Sequence, residues 1–152
     1  MTDALPVVQE LVPAPDPIDC AERLAGLPFL LFLDSAADPA RLGRYSFLAA
    51  DPAVVVRSKG FRAERVDLVD GTSRTVGGNA LEFVRELLAP HRAEPVPGLP
   101  PFQGGAAGYI AYDWGAVLER LPAPRYDDLA IPDVQLGLYD WVIAWDHGEG
   151  RA

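Results

Sequence analysis

Hydrophobic and polar residues follow each other in short blocks along this chain, which predicts mainly β-strands with few helices. Residues 29–33 are continuously apolar and too short for an ordinary helix, so they predict a strand covered on both faces. Asp70-Gly71 is a two-residue hairpin signal that separates a strand from its return strand. The further predicted strands are residues 7–12, 44–49, 53–59, 61–69, 72–76 and 104–112.

Two segments carry the signals of a helix. Asp16 is placed to cap the first helix and Pro17 to occupy its first position, and Gly26 ends it. Asn79 caps the second, which carries an apolar stripe and ends at Pro90. A further helical turn is predicted over residues 117–121.

The last segment bears on how complete the sheet is. In residues 134–145, apolar side chains occupy both odd-numbered and even-numbered positions, which predicts one long strand buried on both faces. Residues 146–150 are turn formers, and no strand follows them in the sequence. An unpaired edge on so apolar a strand would invite aggregation, so we expect the sheet to continue in sequence beyond this chain.

Composition and charge narrow the classes of function. The chain has 152 residues, is 49% hydrophobic and 23% charged, and has a formal net charge of −9. This indicates one globular domain whose field repels phosphates and anionic lipid, so neither nucleic acid nor a membrane is an expected partner. No apolar run approaches the roughly 18 residues of a membrane span, and no secretory signal is recognisable, so we expect a cytoplasmic protein.

Candidate chemistry is sparse. His91 and His147 lack metal-ligand partners at useful spacing and are interpreted as solvated loop histidines. The glycine-rich run 104–108 does not open a helix, so a close approach of two strands is the better interpretation than phosphate binding. Most strand-end carboxylates, including Asp146, are interpreted as turn caps. Asp34-Ser35 is the exception, because a carboxylate and a hydroxyl after an apolar strand could bind an ammonium or a carboxylate group.

Several ordered motifs resemble one family, the N-terminal domain of component I of the chorismate-utilising amidotransferase synthases. The resemblance spans residues 5 to 150 and is specific in the order and spacing of its pieces rather than in any single one. The motifs are residues 29–35 (FLLFLDS), 43–47 (GRYSF), 51–52 (DP), 101–109 (PFQGGAAGY), 112–113 (YD), 131–133 (IPD), 139–141 (YDW) and 146–147 (DH).

The resemblance implies a fold and a reaction. The fold would be α+β, with a mostly antiparallel sheet sandwich and a few helices, incomplete without a C-terminal chorismate-binding domain. That absent domain would hold Mg²⁺ and aminate chorismate, and a glutamine amidotransferase subunit would supply ammonia. This chain alone would then be one N-terminal domain, with no catalytic or metal-binding residue of its own and no activity in isolation.

The resemblance also implies a tryptophan pocket. Asp34 and Ser35 match the strand-end pair that lines it, and Arg44, Tyr45 and Ser46 match the neighbouring strand segment. Asp34 stands where many anthranilate synthases have the longer glutamate, which changes how the tryptophan ammonium would be reached.

Three interpretations remain open. The chain resembles the folate-pathway member, aminodeoxychorismate synthase component I, through residues 101–106 and through residues 137–141 followed by 146–147. The tryptophan-pathway member, anthranilate synthase component I, is the alternative within the family. Outside the enzymes, the chain would be a stand-alone amino-acid-binding module, or a packing module that binds no small ligand.

Overall fold

The computed structural model describes residues 6–35, 38, 42–122 and 126–152. The chain divides into two compact units, each built from several segments. The first unit comprises Met1–Asp51, Ala93–Gly104 and Trp141–Ala152, and the second comprises Pro52–Arg92 and Gly105–Asp140.

In chain order the elements are α1 (Pro17–Leu24), β1 (Leu31–Leu33), β2 (Tyr45–Ala49), β3 (Val54–Lys59), β4 (Arg62–Asp67), β5 (Thr72–Gly77), α2 (Ala80–Leu88), β6 (Gly105–Ile110), β7 (Val134–Tyr139) and β8 (Ile143–Asp146). Two 3₁₀ helices, Ala89–His91 and Tyr112–Val117, complete the set. Every strand pair is antiparallel. The predicted α+β class, with antiparallel sheet and few helices, is therefore confirmed.

The first unit contains a three-stranded sheet in the order β1-β2-β8. Because β2 is central, Leu48 and Ala49 are fully buried. Helix α1 lies against β2, and its Asp16 cap and Pro17 start are as predicted, with the Asp16 carboxylate accepting from two backbone N–H groups of the first turn. Trp145 of β8 donates its indole N–H to the Pro15 carbonyl at 2.8 Å.

The second unit contains a five-stranded sheet in the order β5-β4-β3-β7-β6. One face carries the hydrophobic core, to which α2 and the 3₁₀ helix Tyr112–Val117 contribute side chains. Asn79 caps α2 as predicted. The buried members of this core are Val56, Ala63, Ala80, Val84, Trp114 and Val134.

Strand β6 bears on the glycine-rich run. Gly105–Ile110 is a strand, and Gly108 lies so close to the neighbouring strand that an added Cβ would overlap the Gln135 carbonyl oxygen. The interpretation as a close approach of two backbones is therefore confirmed at Gly108.

Several predicted boundaries are wrong. Residues 7–12 form no strand, and residues 29–33 give only the three-residue β1, in which Leu33 is 46% exposed rather than covered. The backbone at Phe29 has a positive φ of 52°, which is incompatible with an extended strand at that residue. The helical turn predicted over residues 117–121 lies earlier, in Tyr112–Val117.

The largest correction concerns residues 134–145. They form two strands rather than one, because β7 pairs with β3 and β6 while β8 pairs with β2 in the other sheet. The chain must leave one ladder before it enters the other. β8 is the last strand of its sheet, and within the described part of the chain only Arg151 pairs with its outer edge, through a bridge to Asp146.

Candidate functional site

The antiparallel pairing of β1 with β2 places Asp34 beside Ser46. In this register Phe32 lies opposite Leu48 and Leu33 opposite Phe47, so the next position brings Asp34 opposite Ser46. Ser46 Oγ donates to Asp34 Oδ1 at 2.8 Å, and the Ser35 backbone N–H donates to Ser46 Oγ at 3.3 Å. Ser46 is fully buried, whereas the Asp34 carboxylate is exposed. A buried hydroxyl thus fixes one oxygen of an accessible carboxylate.

His147 is the third member of this contact set. Its backbone N–H donates to the Arg44 carbonyl at 2.8 Å, which continues the β2–β8 ladder one residue past Asp146. The ring nitrogen Nε2 lies 2.7 Å from Ser46 Oγ. His147 is half-buried and bonded, so its interpretation as a solvated loop histidine is wrong. His91, in contrast, is exposed. We call Asp34, Ser46 and His147 the strand-end network.

The strand-end network is not the arrangement of a serine hydrolase. In that arrangement the serine is accessible to substrate, and the carboxylate binds the far nitrogen of the histidine. Here Ser46 is fully buried, and its hydroxyl bonds to the Asp34 carboxylate directly. Ser46 therefore orients its neighbours rather than attacking a substrate.

Arg44 is bound by Asp146. Its Nε and Nη2 donate to the two carboxylate oxygens of Asp146, at 3.0 Å to Oδ1 and 2.8 Å to Oδ2. Asp146 is only 4% exposed and also accepts the backbone N–H groups of Gly148 and Glu149 through Oδ1, at 3.1 and 3.2 Å. The prediction that Asp146 caps a turn is therefore confirmed.

This geometry shifts the pKa of both partners. The hydrogen bond from Arg44, assisted by the backbone N–H groups of Glu149 and Gly148, lowers the pKa of Asp146 below its ordinary value, although burial opposes the shift. The hydrogen bond to Asp146 in turn raises the pKa of Arg44. This carboxylate occupies the side-on donors of Arg44, Nε and Nη2, and so fixes the guanidinium against the turn that Asp146 caps.

Tyr45 lies on the other face of β2 from Ser46, because successive side chains of a strand alternate. Its ring centroid is 5.0 Å from the guanidinium carbon of Arg44, within range of a cation–π interaction. The five residues predicted for the pocket therefore form two groups. Asp34, Ser35 and Ser46 are joined by hydrogen bonds, whereas Arg44 and Tyr45 contact each other.

The first group offers hydrogen-bond acceptors to a ligand. Asp34 Oδ2 and the Ser35 hydroxyl have no hydrogen-bond partner among the residues that the structure describes. A carboxylate accepts hydrogen bonds but cannot donate them. The chemistry of this site therefore matches an ammonium or another donor group, with the Ser35 hydroxyl able to accept or donate beside it.

His147 and Asp146 were not among the residues predicted for the site. They lie 101 positions from Ser46 and 102 from Arg44 respectively, so spacing along the chain could not reveal the contacts. The available signal was the Asp146-His147 pair at the end of an apolar segment, which counted only toward the family resemblance.

The described residues contain neither a candidate metal site nor a helix that could span a membrane. Over residues 6–35, 38, 42–122 and 126–152, no group of three His, Cys, Asp or Glu side chains could hold a metal ion. In the same ranges, none of the helices has the length and apolarity to cross a membrane.

Known proteins resemble this chain along most of its length. A scan against protein-family models gives no match. Anthranilate synthase component 1 of Mycobacterium tuberculosis (strain ATCC 25618 / H37Rv) is 35% identical over 150 residues, covering 96% of this chain and 29% of its own length. Aminodeoxychorismate synthase component 1 of Salmonella typhimurium is 35% identical over 124 residues, covering 80% and 26%. The corresponding protein of Escherichia coli is 30% identical over 126 residues, covering 82% and 27%.

The chain thus spans between a quarter and three-tenths of the length of these curated relatives. Both names denote component 1 of a synthase, and the two kinds of relative match this chain at similar identity. The resemblance predicted from the ordered motifs is therefore confirmed: this chain is homologous to component 1 of the anthranilate and aminodeoxychorismate synthases.

Proposed function

We propose that this chain is the N-terminal, ligand-binding domain of a chorismate-utilising synthase component 1, and specifically of aminodeoxychorismate synthase. The homology over most of the chain supports the family. We favour the folate-pathway member on the motifs at residues 101–106 and at residues 137–141 followed by 146–147, which we interpret as resembling that member. The observation that carries the ligand-binding role is the exposed Asp34 carboxylate, fixed at one oxygen by buried Ser46.

The chemistry of the synthase belongs to a further domain in this proposal. A C-terminal chorismate-binding domain, with Mg²⁺, would aminate chorismate to 4-amino-4-deoxychorismate, and a glutamine amidotransferase subunit would supply the ammonia. The 152-residue chain supplied with chorismate, ammonia and Mg²⁺ should therefore form no aminated product. Product formed by this chain would contradict that division of labour.

The ligand of this domain is tryptophan, bound by its ammonium at Asp34 Oδ2 with the Ser35 hydroxyl beside it. Two features support this assignment. The free acceptor is an anionic oxygen, which attracts an ammonium. The side-on donors of Arg44 are already bound to Asp146, so Arg44 holds the turn at residues 146–149, and the carboxylate of Asp34 is, among the described residues, the unpaired charged group of the site.

Anthranilate synthase component 1 is the second candidate. It is favoured by coverage, because the mycobacterial anthranilate synthase aligns with 96% of the chain and the Salmonella aminodeoxychorismate synthase with 80%. The two candidates act in different biosynthetic pathways, so the compound that a deletion strain requires for growth distinguishes them.

The test is to delete the coding sequence in its source organism and to determine which supplement restores growth. Aminodeoxychorismate synthase predicts growth with p-aminobenzoate and none with tryptophan. Restoration by tryptophan alone would overturn the folate assignment in favour of the second candidate. Unchanged growth on minimal medium would contradict both candidates and favour a binding or packing module.

A further inference from the structure

We propose that His147 is a positioning residue of the Asp34–Ser35 site, and that it acts as the Nε2–H tautomer by donating a hydrogen bond to Ser46 Oγ. The ligand side of this proposal rests on the proposed function. The tautomer of His147 is independent of that function, because it follows from the contacts within the chain.

The assignment follows from counting the hydrogens around Ser46 Oγ. Three groups lie at hydrogen-bond distance from that oxygen: Asp34 Oδ1 at 2.8 Å, His147 Nε2 at 2.7 Å and the Ser35 backbone nitrogen at 3.3 Å. A hydroxyl has one hydrogen to donate and two lone pairs with which to accept. The backbone N–H of Ser35 can only donate, so it occupies one lone pair.

The single hydroxyl hydrogen must then serve either Asp34 or His147. If it were donated to His147, Ser46 Oγ and Asp34 Oδ1 would be two acceptors 2.8 Å apart with no hydrogen between them. A carboxylate oxygen has no hydrogen of its own and can only accept, so Asp34 cannot supply the missing hydrogen. The hydroxyl hydrogen therefore goes to Asp34, and His147 Nε2 carries a hydrogen that it donates to Ser46.

This arrangement gives His147 a defined effect on the carboxylate. By filling the second lone pair of Ser46 Oγ, the imidazole N–H leaves the hydroxyl only one direction in which to donate, toward Asp34 Oδ1. Asp34 Oδ1 is then held, and Asp34 Oδ2 remains available to a ligand. Without the donor at residue 147, the Ser46 hydroxyl can rotate and the carboxylate loses its fixed orientation.

The first test is NMR of the 152-residue chain with ¹⁵N-labelled histidine, which reads the tautomer from long-range couplings within each ring. The chain has only two histidines, so His91 is an internal reference, and His91→Gln assigns the two sets of signals. We expect His147 to occupy the Nε2–H form alone when neutral, and to lose this selectivity in Ser46→Ala. A neutral His147 that is protonated at Nδ1, or unchanged by Ser46→Ala, would overturn the assignment.

The second test compares His147→Gln, whose amide nitrogen keeps a donor at a similar reach, with His147→Leu, which removes it. The readout is the dissociation constant of tryptamine, with His91→Leu as the matched control. Loss of one positioned hydrogen bond predicts about five- to tenfold weaker binding for His147→Leu. His147→Gln and His91→Leu should stay within about twofold of the wild type.

The outcomes separate the possible failures. Equal weakening of tryptamine binding by His147→Gln and His147→Leu would mean that the ring shape matters rather than the donor. No weakening by either substitution would mean that His147 does not position the site. Both results overturn the positioning role. If tryptamine does not bind the wild-type chain, the proposed ligand fails and the positioning role fails with it, whereas the tautomer is still decided by NMR. Should His147→Leu not fold, His147→Gln and the wild-type NMR spectra still decide the proposal.

Discussion

A single buried hydroxyl, Ser46 Oγ, connects three groups that come from two other segments of the chain. Asp34 and Ser35 follow β1, Ser46 is the second residue of β2, and His147 follows β8. Each partner uses a different hydrogen-bonding capacity of the hydroxyl. At the scale of single residues, this oxygen therefore carries both the geometry of the site and part of its stability.

Ser46→Ala tests this role. The substitution leaves the Ser35 N–H and the half-buried His147 ring without their acceptor, so we expect a loss of about 1–3 kcal/mol in the free energy of unfolding. The measurement is urea denaturation at neutral pH. Ser35→Ala is the matched control, because its hydroxyl has no partner among the described residues, and it should change stability by no more than about 0.5 kcal/mol. Equal effects of the two substitutions would contradict the structure.

The Arg44–Asp146 ion pair predicts a dependence of stability on pH. The pKa of Asp146 is lowered in the folded chain, so the pair stabilises the fold above the unfolded pKa, about 4. That contribution is lost as the pH falls through the lower folded value. We expect Asp146→Asn to be less stable than the wild type at pH 7, and the difference to shrink below about pH 4.

The measurement is the free energy of unfolding of both proteins across this acid range. Asp140→Asn is the control, since Asp140 is exposed and should stay within about 0.5 kcal/mol of the wild type at pH 7. A difference between Asp146→Asn and the wild type that stays constant down to pH 2, well below the ordinary aspartate pKa of about 3.9, would show that the ion pair does not stabilise the fold.

At the scale of elements, the pairing of β6 with β7 depends on a glycine. At Gly108 the backbone has a φ of +149°, and an added Cβ would overlap the Gln135 carbonyl oxygen and lie 3.1 Å from Leu136 Cα. These are backbone atoms of the paired strand, so no side-chain rotation relieves the overlap. The close approach therefore requires the absence of a side chain.

Gly108→Ala should lower the free energy of unfolding by about 3 kcal/mol or more, because it forces β6 away from β7. Thermal or urea denaturation measures the change. Gly77→Ala, at the end of β5, has an ordinary φ and no atom within 4 Å of the added Cβ, so it should change stability by less than about 1 kcal/mol. A Gly108→Ala protein as stable as Gly77→Ala would refute the close approach.

Local signals predicted some elements well and others not at all. The caps at Asp16 and Asn79 were predictable because a helix N-terminus is fixed by its immediate neighbours. The hairpin between β4 and β5 was predictable for the same reason, but its predicted two-residue turn was wrong, because Asp67 pairs with Thr72 and residues 68–71 form the loop. The division of residues 134–145 between two sheets was not, because it depends on which distant strands pair with each half.

The candidate site shows the same division. Asp34 and Ser35 were found from adjacent residues at the end of an apolar run, and Ser46 from a motif of the family resemblance. His147 was missed because its contact with Ser46 spans 101 positions. Arg44 and Tyr45 were predicted to line the pocket with them, yet Tyr45 lies on the other face of β2 and Arg44 is bound by Asp146.

At the scale of the whole molecule, the homology and the geometry of the strand-end site bear on the same proposed function. The chain is homologous over most of its length to component 1 of anthranilate synthase and of aminodeoxychorismate synthase, and it carries an exposed carboxylate fixed at the end of a strand. Its net charge of −9 does not by itself select a ligand, since 22 acidic residues contribute to it. The central claim is that one of them, Asp34, binds an ammonium.

The most direct measurement is calorimetric titration of the wild-type chain, Asp34→Asn and Asp140→Asn with tryptamine, which keeps the ammonium of tryptophan, and with indole-3-propionate, which lacks it. Both substitutions remove one negative charge, so they are matched in net charge. We expect tryptamine to bind the wild type and Asp140→Asn, and to bind Asp34→Asn about tenfold more weakly or worse. We expect no binding of indole-3-propionate. Tryptamine binding that is unchanged in Asp34→Asn, or preferential binding of indole-3-propionate, would contradict it.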